Sequence, residues 1–286
     1  MTLRDLPAAK VGSRPGLRSE LAPSALDRWN SQIKAAASDD TAENTISILD
    51  PIGADWFGEG VTSKRIAAAL RAIGPKDVVV NINSPGGDYF EGLAIYNLLR
   101  EHPGKVTAKV VGIAASAASV IAMAADELMI ARAGFLMIHN TWVIAMGDRN
   151  AFRDVADWLE PFDLTAVDIY SARSGLDEKE IARMLDRETW IGGADAVEKG
   201  FADSLLSSDE IEAAPANHTE LRPANAIRKL EHYLAKAGVS RKERTDLVMA
   251  VKGSQRDAAA TGLRDAAVYA EVSSLLSEIR SIKTNA

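Results

Sequence analysis

The chain has 286 residues, of which 47% are hydrophobic, and it carries a formal net charge of −7 at pH 7. This length allows one large domain with appended segments, and the acidic balance argues against a nucleic-acid partner, which needs clustered Lys and Arg. The absence of cysteine excludes a disulfide framework and a thiolate nucleophile. No apolar run reaches the ~20 residues of a membrane span, and no signal-like segment opens the chain, so we expect a cytoplasmic protein without a membrane partner.

The first part of the chain, residues 1–43, is polar and is interrupted by proline and glycine. Residues 24–37 carry apolar side chains at helical spacing and predict one amphipathic helix. A pro-segment, a partner-docking arm and a frayed tail would all give this pattern, and a tail is the simplest interpretation. We therefore treat residues 1–43 as an N-terminal extension.

From Thr45 onwards, strand-like and helix-like segments alternate. The predicted strands are residues 45–49, 78–83, 106–111, 127–131 and 135–138, and the predicted helices are residues 62–73, 88–100 and 117–125. This order predicts a largely parallel sheet with helices on its faces. Because active sites in such sheets lie at the carboxyl ends of strands, residues that directly follow a strand are the first candidates for function.

Three such junctions carry residue types that can take part in catalysis. Ser116 precedes an apolar helix, where unpaired N–H groups favour a developing oxyanion. Gly86 and Gly87 follow a strand and let the backbone approach a ligand, and His139 ends another strand. Each has an ordinary structural explanation on its own: close packing, a turn and a buried histidine. Together they predict that one sheet edge gathers a hydroxyl, an imidazole and backbone donors.

The rest of the chain predicts helices. Residues 147–174 form one long apolar pattern, followed by a short helix at 177–185. An apolar helix that leaves the core is most simply explained as an interface element. After residue 206 the composition becomes polar, with a proline-containing linker before helical patterns at 227–236, 241–252 and 261–282. We assign residues 44–206 to the central domain and residues 207–286 to a linker and helical C-terminal tail.

Four motifs in register resemble the Clp protease proteolytic subunit (ClpP) family of serine peptidases. They are Ile-Asn-Ser-Pro-Gly-Gly at 82–87, Gly-Leu-Ala-Ile-Tyr at 92–96, Ala-Ala-Ser-Ala-Ala at 114–118 and Met-Ile-His at 137–139. The resemblance continues through Thr189-Trp190-Ile191 and residues 194–203, so it covers roughly residues 45–205. It implies an α/β fold of the ClpP/crotonase type, a layered parallel sheet in which residues 147–174 project as a handle.

The resemblance also implies roles for individual residues. Ser116 matches the nucleophile and His139 the general base, while Gly87 and Ala117 match the positions whose N–H groups form the oxyanion hole. Ser119 lies one helical turn beyond Ser116, and we expect it to pack or to cap rather than to react. Neither a cofactor nor a metal is expected.

The third member of the triad is where this sequence departs from the family pattern. The family carries an aspartate two residues before an aromatic residue, and alignment on Trp190 puts Glu188 in that place. Asp186 is the alternative, since the extra methylene of a glutamate demands a backbone shift. A third interpretation is that both carboxylates are solvated and that another group orients His139.

The flanking extensions and the Glu-Thr-Trp run resemble ClpP-related head maturation proteases of tailed bacteriophages and prophages. That resemblance implies capsid, scaffold or portal proteins as substrates, in the host cytoplasm or the prohead. The alternatives are a general degradative subunit that works with an ATPase unfoldase, and a catalytically silent assembly scaffold. Acyl-coenzyme A chemistry of the crotonase type is disfavoured by Ser116 and His139. The resemblance further implies a homo-oligomeric ring, a heptamer or a stacked double ring.

Overall fold

The computed structural model describes residues 7, 18–19, 21–31, 33–35, 43–53, 60–207 and 211–212, and a few positions beyond them (230, 234, 243–244, 246–247 and 249). The chain divides into two units, Met1–His218 and Thr219–Ala286. In the second unit the described positions are helical. The predicted helix at 261–282 lies outside the described residues.

The first unit alternates strands and helices in the predicted order. The strands are β1 (Arg18–Ser19), β2 (Lys34–Ala35), β3 (Thr45–Ile48), β4 (Val78–Ser84), β5 (Val106–Ala115), β6 (Glu127–Ile130), β7 (Phe135–Ile138), β8 (Val143–Ile144), β9 (Thr189–Gly192), β10 (Ser204–Leu205) and β11 (Ile211–Glu212). The helices are α1 (Pro23–Arg28), α2 (Ser63–Ile73), α3 (Tyr89–Arg100), α4 (Ala117–Met123), α5 (Arg149–Ser174), α6 (Glu178–Asp186) and α7 (Gly193–Glu198).

A parallel sheet in the order β10-β6-β5-β4-β3 forms the centre of this unit. On the side away from β4, the long strand β5 pairs with two strands: its first half pairs with β6, and residues 113–115 pair with β7. Strand β9 then adds to β7 in the antiparallel direction. The mixed α/β architecture, with a mostly parallel sheet, confirms the predicted fold class.

The end predicted for β5 is wrong. The strand does not stop at Val111 but continues to Ala115, because Ile113, Ala114 and Ala115 pair with β7. The run of small residues had the composition of a helix, and only the neighbouring strand gives it extended geometry. As a consequence, Ser116 follows the strand directly and the helix begins one residue later.

Helices cover one face of the sheet and bury the apolar side chains of β4. Val80 and Ile82 are fully buried in a cluster that includes Leu93 of α3 and Ile121 of α4. Helix α3 begins where the Asp88 carboxylate accepts hydrogen bonds from two backbone N–H groups of the first turn. Helices α3 and α4 approach closely at Gly92, where an added Cβ would lie 2.9 Å from the Cβ of Ala117.

The predicted helix at 147–174 is present as α5, which starts at the Asp148 cap and ends at Gly175 in the left-handed conformation. Ile169 and Tyr170 in its second half lie in the core, whereas Phe152 near its start is 50% exposed. Within the described residues, neither α5 nor any other helix is both long enough and apolar enough to span a bilayer.

The helix predicted at 24–37 is wrong beyond Arg28, where α1 ends. The indole Nε1–H of Trp29 donates to the Asn83 carbonyl at 2.9 Å. The Asn83 side-chain amide in turn donates to the carbonyls of Asn30 and Ile33, at 2.7 and 3.0 Å. These bonds use backbone acceptors that a continuing helix would need, and the chain turns instead into β2, which pairs with β11.

The interpretation of this segment as a frayed tail is also wrong for residues 21–30. Ala25, Leu26 and Trp29 are buried against Ala115 and Met137, on strands β5 and β7. The segment therefore packs against the ends of the two strands that precede the site.

Candidate active site

Ser116 occupies a sharp turn between β5 and α4. Its φ of 55° lies in the left-handed region, which a residue other than glycine rarely adopts. The Ser116 N–H donates to the Met137 carbonyl at 2.8 Å, and this bond holds the turn against β7. Strained backbone of this kind persists only where surrounding contacts over-determine it, and it clusters at functional sites.

The imidazole of His139 lies next to this hydroxyl. The Nε2 atom is 2.7 Å from the Ser116 Oγ, within the range of a hydrogen bond. The pairing of residues 113–115 with residues 135–137 explains the distance, because it brings the ends of β5 and β7 side by side. With the ring proton on Nδ1, Nε2 accepts the hydroxyl proton, which is the geometry of a nucleophile with its base.

The environment of His139 favours its neutral form. Burial lowers the pKa of the imidazole below its ordinary value, and the negative charge of Glu188 opposes part of that shift. A neutral imidazole is the form that accepts a proton. The histidine therefore keeps its basic form at neutral pH.

The two candidate acids lie in different surroundings. Glu188 is close enough to act on His139 through its charge, but its Oε1 accepts a hydrogen bond from the indole of Trp190 at 3.3 Å. The exposed Asp186 accepts one from the side-chain amide of Asn140 at 2.8 Å. Within the described chain, neither carboxylate is hydrogen-bonded to the imidazole. The structure brings the hydroxyl and the imidazole together without completing a bonded triad.

The glycine turn predicted to approach a ligand packs directly on the serine turn. A Cβ added to Gly86 would lie 2.4 Å from the Ala115 carbonyl oxygen and 2.7 Å from the Ser116 Cβ, so no larger residue fits. Gly87 has φ of 145°, and its added Cβ would lie 2.2 Å from the carbonyl oxygen of Ile52. The turn is thus locked between β5 and the segment after β3.

Ala117 is the first residue of α4, and a first-turn N–H has no acceptor within its own helix. An added Cβ at Gly86 would lie 3.1 Å from the Ala117 nitrogen. The glycine turn and the start of α4 therefore adjoin on the same side of Ser116. Backbone N–H groups at such a junction are candidates to stabilise an oxyanion.

A small cavity opens beside the pair, and its lining includes Ser116, His139, Trp142 and the two tyrosines Tyr89 and Tyr170. Burial raises the pKa of both tyrosine hydroxyls, so both stay neutral. Metal chemistry has no visible ligand set here: the described residues contain no group of three His, Asp or Glu side chains arranged around a common point.

Ser119 lies behind the site and is fully buried. Its Oγ is within hydrogen-bond distance of the carbonyl oxygens of Ser116 and Met137, at 2.7 and 2.9 Å, and of the Tyr170 hydroxyl, at 2.8 Å. This hydroxyl ties α4 and α5 to the serine turn. Its surroundings are those of a packing residue.

Sequence reasoning missed Asn83, the residue that fastens the N-terminal segment to the sheet. The amide oxygen of Asn83 accepts the Ile113 N–H at 3.1 Å while its nitrogen binds the N-terminal carbonyls. The available signal was an asparagine inside an otherwise apolar strand. A buried amide at such a position needs partners from another segment.

A serine hydroxyl bonded to an imidazole, beside a helix start and a glycine turn, is the arrangement of a serine hydrolase. Residues 41–209 match the Clp protease family, whose members are serine-type peptidases. The chain belongs to this family.

Three relatives illustrate the similarity. The chain is 32% identical over 143 residues to the ATP-dependent Clp protease proteolytic subunit 3 of Rhodococcus jostii. The aligned stretch covers 49% of this chain and 70% of that protein. It is 30% identical over 137 residues to subunit 2 of Treponema denticola, covering 46% and 68%. It is 27% identical over 164 residues to subunit 1 of Chlamydia muridarum, covering 54% and 85%.

Proposed function

We propose that the chain is a serine endopeptidase that cleaves peptide bonds through an acyl-enzyme on Ser116. The observation that carries this proposal is the 2.7 Å contact between the Ser116 Oγ and the His139 Nε2. The hydroxyl oxygen attacks the scissile carbonyl while His139 takes its proton, and the imidazolium then gives that proton to the departing amine. Water hydrolyses the ester in the reverse sequence and frees Ser116.

Two further groups complete the proposed mechanism. The N–H groups of Gly87 and Ala117 stabilise the oxyanion, since the glycine turn and the start of α4 adjoin beside Ser116. Glu188 stabilises the imidazolium through its charge rather than through a hydrogen bond. Asp186, bonded to Asn140, is the alternative acid and acts only if the loop after His139 rearranges.

The test is hydrolysis of fluorescein-labelled casein by purified protein. We expect the Ser116→Ala and His139→Ala variants to lose hydrolysis by about 10³-fold or more, because each removes a member of the reacting pair. His102→Ala is the matched control, since His102 binds the Lys76 carbonyl outside the site. Hydrolysis that survives in the Ser116→Ala variant would assign the activity to another group.

Two biological settings fit this activity. The N- and C-terminal extensions around the core support a head maturation protease that processes capsid, scaffold or portal proteins. The names of the relatives, ATP-dependent proteolytic subunits, support instead a general degradative subunit with an ATPase partner. In both settings we propose a homo-oligomeric ring, a heptamer or a double ring, joined in part through the exposed residues Phe152 and Leu164 of α5.

The products distinguish the two settings. If the chain is a processing enzyme, the purified protein cuts a protein substrate into a few stable fragments without ATP or a partner. A degradative subunit gives short peptides, and only after a Clp-type ATPase and ATP are added. If the protein neither cleaves nor reacts with a fluorophosphonate, the remaining interpretation is an assembly scaffold with the same fold.

A further inference from the structure

The turn that carries Ser116 is held by a carbonyl group with a second hydrogen-bond partner. The Met137 carbonyl oxygen accepts the Ser116 N–H at 2.8 Å and also lies 2.9 Å from the Ser119 Oγ. The same Oγ is 2.7 Å from the carbonyl oxygen of Ser116 itself. One buried hydroxyl thus contacts both the acceptor of the Ser116 N–H and the Ser116 carbonyl, and it holds the turn from both ends of the residue.

The hydroxyl of Tyr170 on α5 gives this contact its direction. It lies 2.8 Å from the Ser119 Oγ, and both side chains are buried. A serine hydroxyl donates one proton and accepts at the same oxygen. If the Ser119 proton pointed at Tyr170, the two carbonyl oxygens at 2.7 and 2.9 Å would face an oxygen with no proton in between. The order that satisfies every group is donation from Tyr170 to Ser119 and from Ser119 to the carbonyls.

Tyr170 is suited to act as the first donor of this chain. Burial raises the pKa of its hydroxyl, which therefore keeps its proton. The ring packs near that of Phe201, with the ring centroids 6.2 Å apart, and this contact is independent of the hydroxyl. The packing of the ring and the donation by the hydroxyl can therefore be separated by removing one oxygen atom.

We propose that Tyr170 is a positioning residue for the nucleophile Ser116 and that it acts through Ser119. The inference rests on the proposed peptidase function. Donation by Tyr170 directs the Ser119 proton to the two carbonyls that hold the turn. The turn needs such support, because the φ of 55° at Ser116 persists only where surrounding contacts over-determine it. Without the donation, the serine Oγ loses part of its alignment with the imidazole of His139, and misalignment of reacting groups slows the reaction.

Two substitutions break the chain of hydroxyls without creating a large cavity. Tyr170→Phe keeps the ring and removes the first donor, whereas Ser119→Ala removes the second. Tyr96→Phe is the matched control, because it removes another buried tyrosine hydroxyl, which donates to the Pro7 carbonyl at 2.8 Å. The rate of fluorophosphonate labelling as a function of pH, kcat and KM for fluorescein-labelled casein, and the urea midpoint are measured for each variant and for the double variant.

We expect Tyr170→Phe to lower the labelling rate and kcat by about tenfold and to leave KM unchanged, because the substitution disturbs the alignment of Ser116 rather than substrate binding. The acid limb of the labelling rate stays in place, since no charge near the imidazole changes. Ser119→Ala gives the same losses by itself, and the double variant is no slower, because the chain is already broken. Tyr96→Phe labels at the parent rate.

Three results would overturn the proposal. The first is labelling of folded Tyr170→Phe at the rate of Tyr96→Phe. The second is an effect confined to KM, which would make Tyr170 only a part of the cavity wall. The third is additive losses in the double variant, which would separate Tyr170 from Ser119. A parent protein that neither labels nor cleaves casein contradicts the peptidase function itself, and the positioning role falls with it.

Discussion

At the scale of single residues, the backbone of Ser116 and the side chain of His139 depend on the same pair of strands. The Met137 carbonyl holds the Ser116 N–H, and His139 stands two residues beyond Met137 on the same strand end. Any shift of β7 against β5 would therefore change both the turn and the distance between hydroxyl and imidazole. This coupling explains why the reacting pair is formed without a carboxylate bonded to the ring.

The pH dependence of the serine's reactivity tests the role of Glu188. Because burial lowers the pKa of His139, the acid limb of the labelling rate falls below the ordinary value of about 6.5. The negative charge of Glu188 raises that pKa, so Glu188→Gln lowers it further and moves the acid limb to lower pH. Asp186→Asn leaves the limb in place.

The same two variants differ in turnover. We expect Glu188→Gln to slow casein hydrolysis by about tenfold, because the imidazolium loses a stabilising charge, and Asp186→Asn to have little effect. Rates of casein hydrolysis check this ranking, and rates of fluorophosphonate labelling as a function of pH check the shift of the acid limb. The reverse ranking would transfer the role to Asp186.

At the scale of secondary-structure elements, the glycine turn after β4 and the turn at Ser116 are one packing unit. Gly86→Ala inserts a methyl group 2.4 Å from the Ala115 carbonyl, and its φ of 85° adds backbone strain. We expect loss of casein hydrolysis and a loss of about 2 kcal/mol or more in the free energy of unfolding, measured in urea. Gly175→Ala is the control with a similar φ of 75° and open space around it, and its cost is about 1 kcal/mol. Equal effects of the two substitutions would contradict the packing account.

The elements also show what could be predicted from the sequence. Alternating patterns placed β4, α3 and β7 within a residue or two, because each buries an apolar face that its period reveals. The end of α1 and the positions of Asn30 and Ile33 could not be predicted, because they depend on the Asn83 amide, 50 or more positions away. The site divides in the same way. Motif order predicted Ser116 beside His139, but side-chain distances to Glu188 and Asp186 are set by the turn after α6, where Glu188 itself has φ of 50°.

At the scale of the whole molecule, helix α5 presents apolar side chains at the surface. Phe152 and Leu164 are 50% and 60% exposed, whereas Trp158 and Phe162 pack against Phe90 of α3 in a tilted and an edge-to-face ring contact. These aromatic contacts fix the helix to its own unit and leave Phe152 and Leu164 as exposed apolar side chains. Such a surface on an otherwise acidic chain favours association with a second copy.

A charge on this surface tests the association. We expect Phe152→Asp to weaken the proposed self-association, because a carboxylate buried at an apolar interface loses its hydration without gaining a partner. Sedimentation velocity gives the size of the assembly. Ala68→Asp, which places the same charge on an exposed position of α2, should sediment like the parent protein. If both variants sediment like the parent, the interface lies elsewhere.

The most direct test of the peptidase mechanism is to react the folded protein with a fluorophosphonate and to locate the adduct by tandem mass spectrometry of its peptides. The proximity of the His139 Nε2 to the Ser116 Oγ predicts a single adduct, on the peptide that contains Ser116, and its disappearance in the His139→Ala variant. An adduct on any other residue, or an unmodified Ser116 in protein that remains folded, would contradict the assignment of Ser116 as the nucleophile.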